Sequence, residues 1–167
     1  MTASTKTITI APVRKSLVVE APPERAFEVF TGGIDRWWPK SHGIGATPVV
    51  ASVLEPRVGG RWYTTHADGS EVTVGHVRAC EPGRRIVIGW EVSAAWKPDP
   101  RTEFASEVEV RFTAVGERQT RIDLEHRDFQ KMGAEAGETM RKGVDGGWPG
   151  LLALYAQEVE RSAGGAP

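Results

Sequence analysis

Residues 104–129 read Phe104-Ala-Ser106-Glu-Val108-Glu-Val110-Arg-Phe112-Thr-Ala114, then Val115-Gly-Glu-Arg-Gln119, then Thr120-Arg-Ile122-Asp-Leu124-Glu-His126-Arg-Asp-Phe129. Ser106, Val108, Val110 and Phe112 fall on one side of an extended chain, and Glu107, Glu109 and Arg111 on the other. After the turn, Ile122, Leu124 and His126 alternate with Asp123 and Glu125 in the same way. The pattern predicts two antiparallel strands with one buried and one solvated face. A sheet of that kind must cover its apolar side. The cover lies downstream: Met140, Val144, Trp148, Leu151, Leu152, Tyr155 and Val159 recur at three- and four-residue spacing, the stripe of a long helix over Ala134–Arg161. Gly146-Gly147 and Pro149 interrupt that stripe, which predicts a kink or a restart there.

Upstream, period two continues. Val13–Glu20, Val49–Leu54, Gly60–His66, Glu71–Cys80 and Arg84–Val92 read as strands, separated by Gly- and Pro-rich turns such as Ala67-Asp-Gly-Ser70. Ala21-Pro-Pro-Glu24 ends the first strand and starts a short helix with Ala26, Phe27, Val29 and Phe30 on its apolar face, and Gly32-Gly33 closes it. Ile34-Asp-Arg-Trp-Trp38 adds a second short helical turn before Pro39. Ala94–Thr102, with Pro98 and Pro100, is a loop. The expected division is an N-terminal extension over 1–12, one domain over 13–161 and a disordered tail over 162–167. The fold class is α+β: a curved antiparallel sheet of six to seven strands wrapped around a long C-terminal helix, with two short helices after the first strand. Such a sheet readily leaves a space between itself and the helix.

Composition narrows the function. Twenty-one basic and 22 acidic side chains leave a net charge of -1, which removes the basic excess that nucleic-acid binding needs. No apolar run approaches the ~20 residues of a membrane span, and residues 1–12 hold no continuous apolar segment of the secretory type. The single Cys80 excludes an intramolecular disulfide. Four scattered His without ligand spacing argue against a metal, and neither a phosphate loop nor a dinucleotide loop is present, so no cofactor is expected. These features point to a cytoplasmic protein.

Six Trp are many for 167 residues, and their placement carries a family resemblance. Glu55-Pro-Arg-Val-Gly-Gly-Arg-Trp62 is one of the stretches concerned, with Gly75-His-Val77 leading to Glu81-Pro-Gly-Arg-Arg-Ile86 and Ile88-Gly-Trp90. Thr120–His126, and Gly147-Trp148 with Leu151 and Leu154, complete the set. In this order they resemble the START-like (SRPBCC, birch-pollen-allergen-like) superfamily with its helix-grip fold. Within it, the chain is similar to the branch of homologues of the activator of the heat-shock protein 90 ATPase, the AHSA-type domains. Trp37-Trp-Pro39 with Ser41-His42 resembles the bacterial single-domain members. The resemblance spans about Lys15–Glu160 and implies a fold, not a reaction, because such domains include ligand binders, lipid carriers, cyclases and co-chaperone modules.

Trp38, Trp62, Trp90, Phe112, Trp148 and Tyr155 are candidate walls of an interior cavity, with Leu124 and Leu152 beside them. His66, His76 and His126 are its candidate polar groups, either as ligand anchors or as ordinary histidines with structural partners. Trp96 is placed to cap the mouth. Cys80 reads as a small packed side chain rather than a nucleophile, although Arg78 and His76 lie near it in sequence. The leading expectation is a non-catalytic domain that binds a small hydrophobic or aromatic ligand. A cyclase- or hydrolase-like enzyme in the same cavity, its catalytic residues unknown, is the first rival. A chaperone-ATPase co-regulator is the second. The oligomeric state stays open, a homodimer included.

Overall fold

A computed structural model describes residues 9–164. Its strands are β1 (Val13–Val19), β2 (Val49–Leu54), β3 (Arg61–His66), β4 (Glu71–Glu81), β5 (Arg85–Trp90), β6 (Ser106–Gly116) and β7 (Gln119–Arg127). They form one antiparallel sheet in the order β1-β7-β6-β5-β4-β3-β2. Its ends are joined in sequence by α1 (Pro23–Phe30) and a 3-10 turn over Ile34–Arg36, while α2 (Ala134–Gly164) follows the last strand. The sheet curls around α2 in the helix-grip arrangement. No helix among the described residues is long and apolar enough to cross a membrane.

The β6–β7 pair is built as the alternation requires. Val108 faces His126, Val110 faces Leu124 and Phe112 faces Ile122, and all six are buried beneath the helices. The other face carries ions. Glu109 meets Arg85, Arg111 and Arg127, while Glu107 meets Arg78 and Arg127. Burial works against charge on both carboxyls. The hydrogen bonds from Arg78 and Arg127 to Glu107, and from Arg85 and Arg127 to Glu109, outweigh it and hold both below the ordinary carboxylate range.

Two expectations are corrected. Of the kink or restart expected at Gly146-Gly147 and Pro149, the restart does not occur: α2 runs unbroken from Ala134 to Gly164. Pro149 removes one backbone hydrogen bond and costs ~3 kcal/mol in a helix interior. Met140 and Val144 before it, and Leu151, Leu152, Tyr155 and Val159 after it, are all buried, so packing on both sides carries the helix through. The second correction concerns β4, where His76 was expected to be a polar group of the cavity. The register slips against β3 between Trp62 and Tyr63, and against β5 between Val77 and Ala79. These bulges leave Val74 and Val77 buried and turn His76 outward.

The expected extension over 1–12 lies outside the described residues as far as residue 8; Ile10 is buried in the core. Of the tail over 162–167, Ser162–Gly164 prolongs α2 and the rest lies outside the described residues.

Candidate functional site

Between α2 and the concave sheet lies a cavity of about 360 Å³. Its sheet wall comes from Thr64 on β3, Val74 on β4, and Trp90 with Val92 at the end of β5. The loop after the 3-10 turn closes one side with Trp38, Ser41, His42, Gly43 and Ile44. Across from the sheet, α2 contributes Gly143, Val144, Gly147, Trp148 and Leu151. Those five share one helix face by their spacing. Gly147 leaves that face open: a Cβ built there meets nothing within 4 Å.

The rim is formed by Trp96. The segment after β5 folds back through a bridge between Val92 and Pro98, and the Trp96 amide donates to the Ser93 carbonyl at 2.8 Å. This turn puts Trp96 at φ +59°, a left-handed backbone that a bulky side chain rarely adopts. In return, the indole lies against α2 at Gly143, where an added Cβ would come within 2.8 Å of the ring. Trp96 remains 43% exposed. It therefore caps the cavity from the solvent side.

In and behind the walls, aromatic rings form a continuous set of edge-to-face and tilted pairs. Trp38 meets Trp62 at 4.9 Å between ring centroids, Trp62 meets Trp90 at 5.6 Å, and Trp38 and Trp90 each meet Trp148 at 6.1 Å. Trp62 thus backs the wall instead of lining it. Phe112 packs deeper, against Phe27 and Phe30. Tyr155 joins Phe30 and Trp37, and its hydroxyl donates to the Ala26 carbonyl at 2.7 Å. Leu124 and Leu152 are core residues beside them. Trp90 and Trp62 each keep a buried indole N–H with no partner.

The three candidate histidines part company. His76 points away from the cavity, half-exposed, and bonds the buried Glu91 at 2.8 Å. His126 is fully buried under α2. Its Nδ1 accepts from the Trp148 indole N–H at 3.2 Å, so the neutral ring carries its proton on Nε2 and donates to Ser106 Oγ at 2.9 Å. Burial alone pulls its pKa down to about 3, which keeps the ring neutral. It fixes the orientation of a cavity wall and has no nitrogen left for a ligand. His66 is buried next to the cavity, bonded to Thr64 Oγ1 and to the Thr47 carbonyl.

The sequence reading missed Ser41, His42, Gly43 and Ile44, which belong to a loop with no periodicity to read. Thr64 could have been found, because it shares a strand face with Trp62 and His66. Gly143 and Gly147 also carried a signal: both fall on the inward stripe of the helix, where a side chain would be expected. Cys80 donates to the Pro56 carbonyl, and burial, followed by the Glu81 charge, pushes its thiol up, the opposite of nucleophile activation.

Comparison with known proteins adds a family. The model of the family described as "Activator of Hsp90 ATPase homolog 1-like protein" matches residues 20–160. No curated protein matches the chain. Among solved structures, the chain is similar to the anthrahydroquino-γ-pyrone synthase Txn09, with 37% identity and a TM-score of 0.63 over 89% of this chain and 97% of that one. It is also similar to CalC, a self-sacrificing resistance protein from Micromonospora echinospora, with 31% identity and a TM-score of 0.67 over 90% and 95% of the two chains. The Mesorhizobium loti protein MLL2253, at 20% identity and TM-score 0.65 over 90% and 98%, shares the fold.

Proposed function

The chain belongs to the activator of Hsp90 ATPase homolog 1-like family, and from that premise we propose that it binds a flat aromatic small molecule between the sheet and α2. The observation that carries this reading is the cavity of about 360 Å³ walled by Trp38, Trp90 and Trp148 and capped by Trp96. Ligand pockets fall in the range of roughly 300–1,000 Å³ and combine apolar walls with a few polar groups. Edge-to-face indoles prefer a planar π-system as guest. Gly147, in the interior of a helix where glycine costs ~1 kcal/mol, keeps the space open. The similarity to Txn09 supports a fused-ring ligand, since the product named for that synthase is a planar polycycle.

The test uses anthraquinone and 2-hydroxyanthraquinone, two planar tricyclic probes, titrated against the native tryptophan fluorescence. Saturable quenching at one site is expected. Gly147→Leu fills the cavity from the helix side and should weaken binding at least ~10-fold, about 1.4 kcal/mol, while its circular dichroism stays native. Absence of saturable quenching, or equal binding by a folded Gly147→Leu protein, sinks the proposal. Native mass spectrometry of freshly purified protein adds the class of any co-purifying compound.

A further inference from the structure

Thr64, His66 and the Thr47 carbonyl form a chain of hydrogen bonds that starts at the cavity wall. Thr64 lines the cavity, and its Oγ1 lies 2.7 Å from His66 Nε2. On the far side, His66 Nδ1 lies 2.7 Å from the Thr47 carbonyl oxygen. A carbonyl can only accept, so Nδ1 carries the ring proton and Nε2 of the neutral imidazole is the acceptor. The Thr64 hydroxyl therefore donates to His66 and leaves its own lone pairs for a donor arriving from the cavity. A hydroxyl, an imidazole that accepts from it, and a third group that orients the imidazole are the parts of a base-activated hydroxyl.

The ring is held in place from several directions. His66 is 3% exposed at the end of β3. Its amide donates to Ser70, and the next amide donates to Pro48, which ties the 43–48 loop to the strand end. Gly45 lies flat on the imidazole: a Cβ there would stand 2.7 Å from Cε1 and 3.0 Å from each ring nitrogen. Only a residue without a side chain lets this loop deliver the Thr47 carbonyl to Nδ1.

We infer that Thr64 and His66 are a proton relay for a hydroxyl group on the bound aromatic ligand, an activity that rests on the cavity being a ligand site. The ligand O–H bond breaks and its proton passes to Thr64 Oγ1 while the proton of Thr64 passes to His66 Nε2. The bonding electron pair stays on the ligand oxygen. The products are a ligand oxyanion and an imidazolium whose Nδ1–H still donates to Thr47. The oxyanion is the nucleophile that ring closure through oxygen requires. Thr64 touches the ligand, and His66 is the general base that takes the proton through it.

The probe is 2-hydroxyanthraquinone, whose ionised form absorbs at longer wavelength than the neutral phenol, with anthraquinone as the analogue that has no proton to give. At a pH where the free probe is neutral, the wild-type protein should bind it with the long-wavelength band. Thr64→Val, which keeps the shape without the hydroxyl, should lose that band when the spectrum is read at probe concentrations that saturate the variant. Thr64→Ser should restore the band. His66→Gln, which retains a donor and an acceptor but no base, should lose it. A bound but neutral probe in wild type, or a band that survives in Thr64→Val, overturns the relay and leaves the cavity reading intact. If neither probe binds, both readings fall.

Discussion

Burial decides the chemistry of His126. The unfolded chain titrates it near 6.5, while the folded protein holds it neutral down to about 3. Above pH 6.5 both states are neutral and the contribution to stability is complete. As the pH falls below 6.5 the unfolded state takes up a proton that the folded state refuses, so stability is lost progressively toward pH 3. The slope approaches ~1.4 kcal/mol per pH unit, or roughly 2 kcal/mol between pH 6.5 and 5. Glu107 and Glu109, with carboxyls held below their ordinary 4.5, lose stability in the same direction but only at lower pH. His126→Gln isolates the histidine. It should be less stable than wild type at pH 7, having lost the bond from Trp148, and should respond less to acidification from pH 7 to 5. Urea midpoints at the two pH values measure this, and equal losses in both proteins would contradict it. The Thr64–His66 pair likewise joins a hydroxyl side chain to a histidine, within one strand rather than across two. The difference lies in position, since Thr64 touches the cavity and Ser106 is wholly enclosed.

The short hairpin after β5 combines backbone strain with a functional position. Trp96 in the left-handed region costs on the order of 1–3 kcal/mol, and it persists because the indole covers the cavity at Gly143. Trp96→Gly should relieve the strain and leave thermal stability unchanged or raised, while speeding release of bound 2-hydroxyanthraquinone. Stopped-flow displacement reads that rate, and a dissociation rate equal to wild type would remove Trp96 from the role of cap. Elements of this kind were the hardest to read in advance. The strands β6 and β7 and the stripe of α2 were legible because a strict period of two or 3.6 writes burial directly into residue order. Two of the four cavity Trp, Trp90 and Trp148, fell on strand and helix, while Trp38 fell after a short helical turn and Trp96 in a loop already marked by its prolines. In β4 the period is broken by two bulges, so His76 appeared to face inward with Val74 when it faces Glu91 outside. The 41–48 loop has no period at all. Its contribution, Ser41–Ile44 on the wall and the Thr47 carbonyl on His66, depends on a chain path set by contacts distant in sequence.

At the scale of the molecule the two faces of one sheet have separate roles. The convex face is a lattice of part-buried carboxylates and guanidiniums around Glu107, Glu109 and Arg127. The concave face and α2 bury most of the aromatic area and leave the cavity between them. The helix spans the cavity wall and the core at once: Gly147, Trp148 and Leu151 touch the cavity, while Leu152, Tyr155 and Val159 are locked in packing. A ligand in that position cross-links the sheet to α2 and is released when they separate, so it binds the folded state alone. Free 2-hydroxyanthraquinone at 100 times its dissociation constant should then stabilise the fold by ~2.7 kcal/mol. For a chain of this size that corresponds to a rise of roughly 5–10 °C in Tm. The shift should grow with the logarithm of probe concentration and shrink in Gly147→Leu in step with the lost affinity. Thermal unfolding followed by circular dichroism in matched solvent measures it. An unchanged Tm despite saturable quenching would place the probe at a site that survives unfolding, and hence outside the space between sheet and helix.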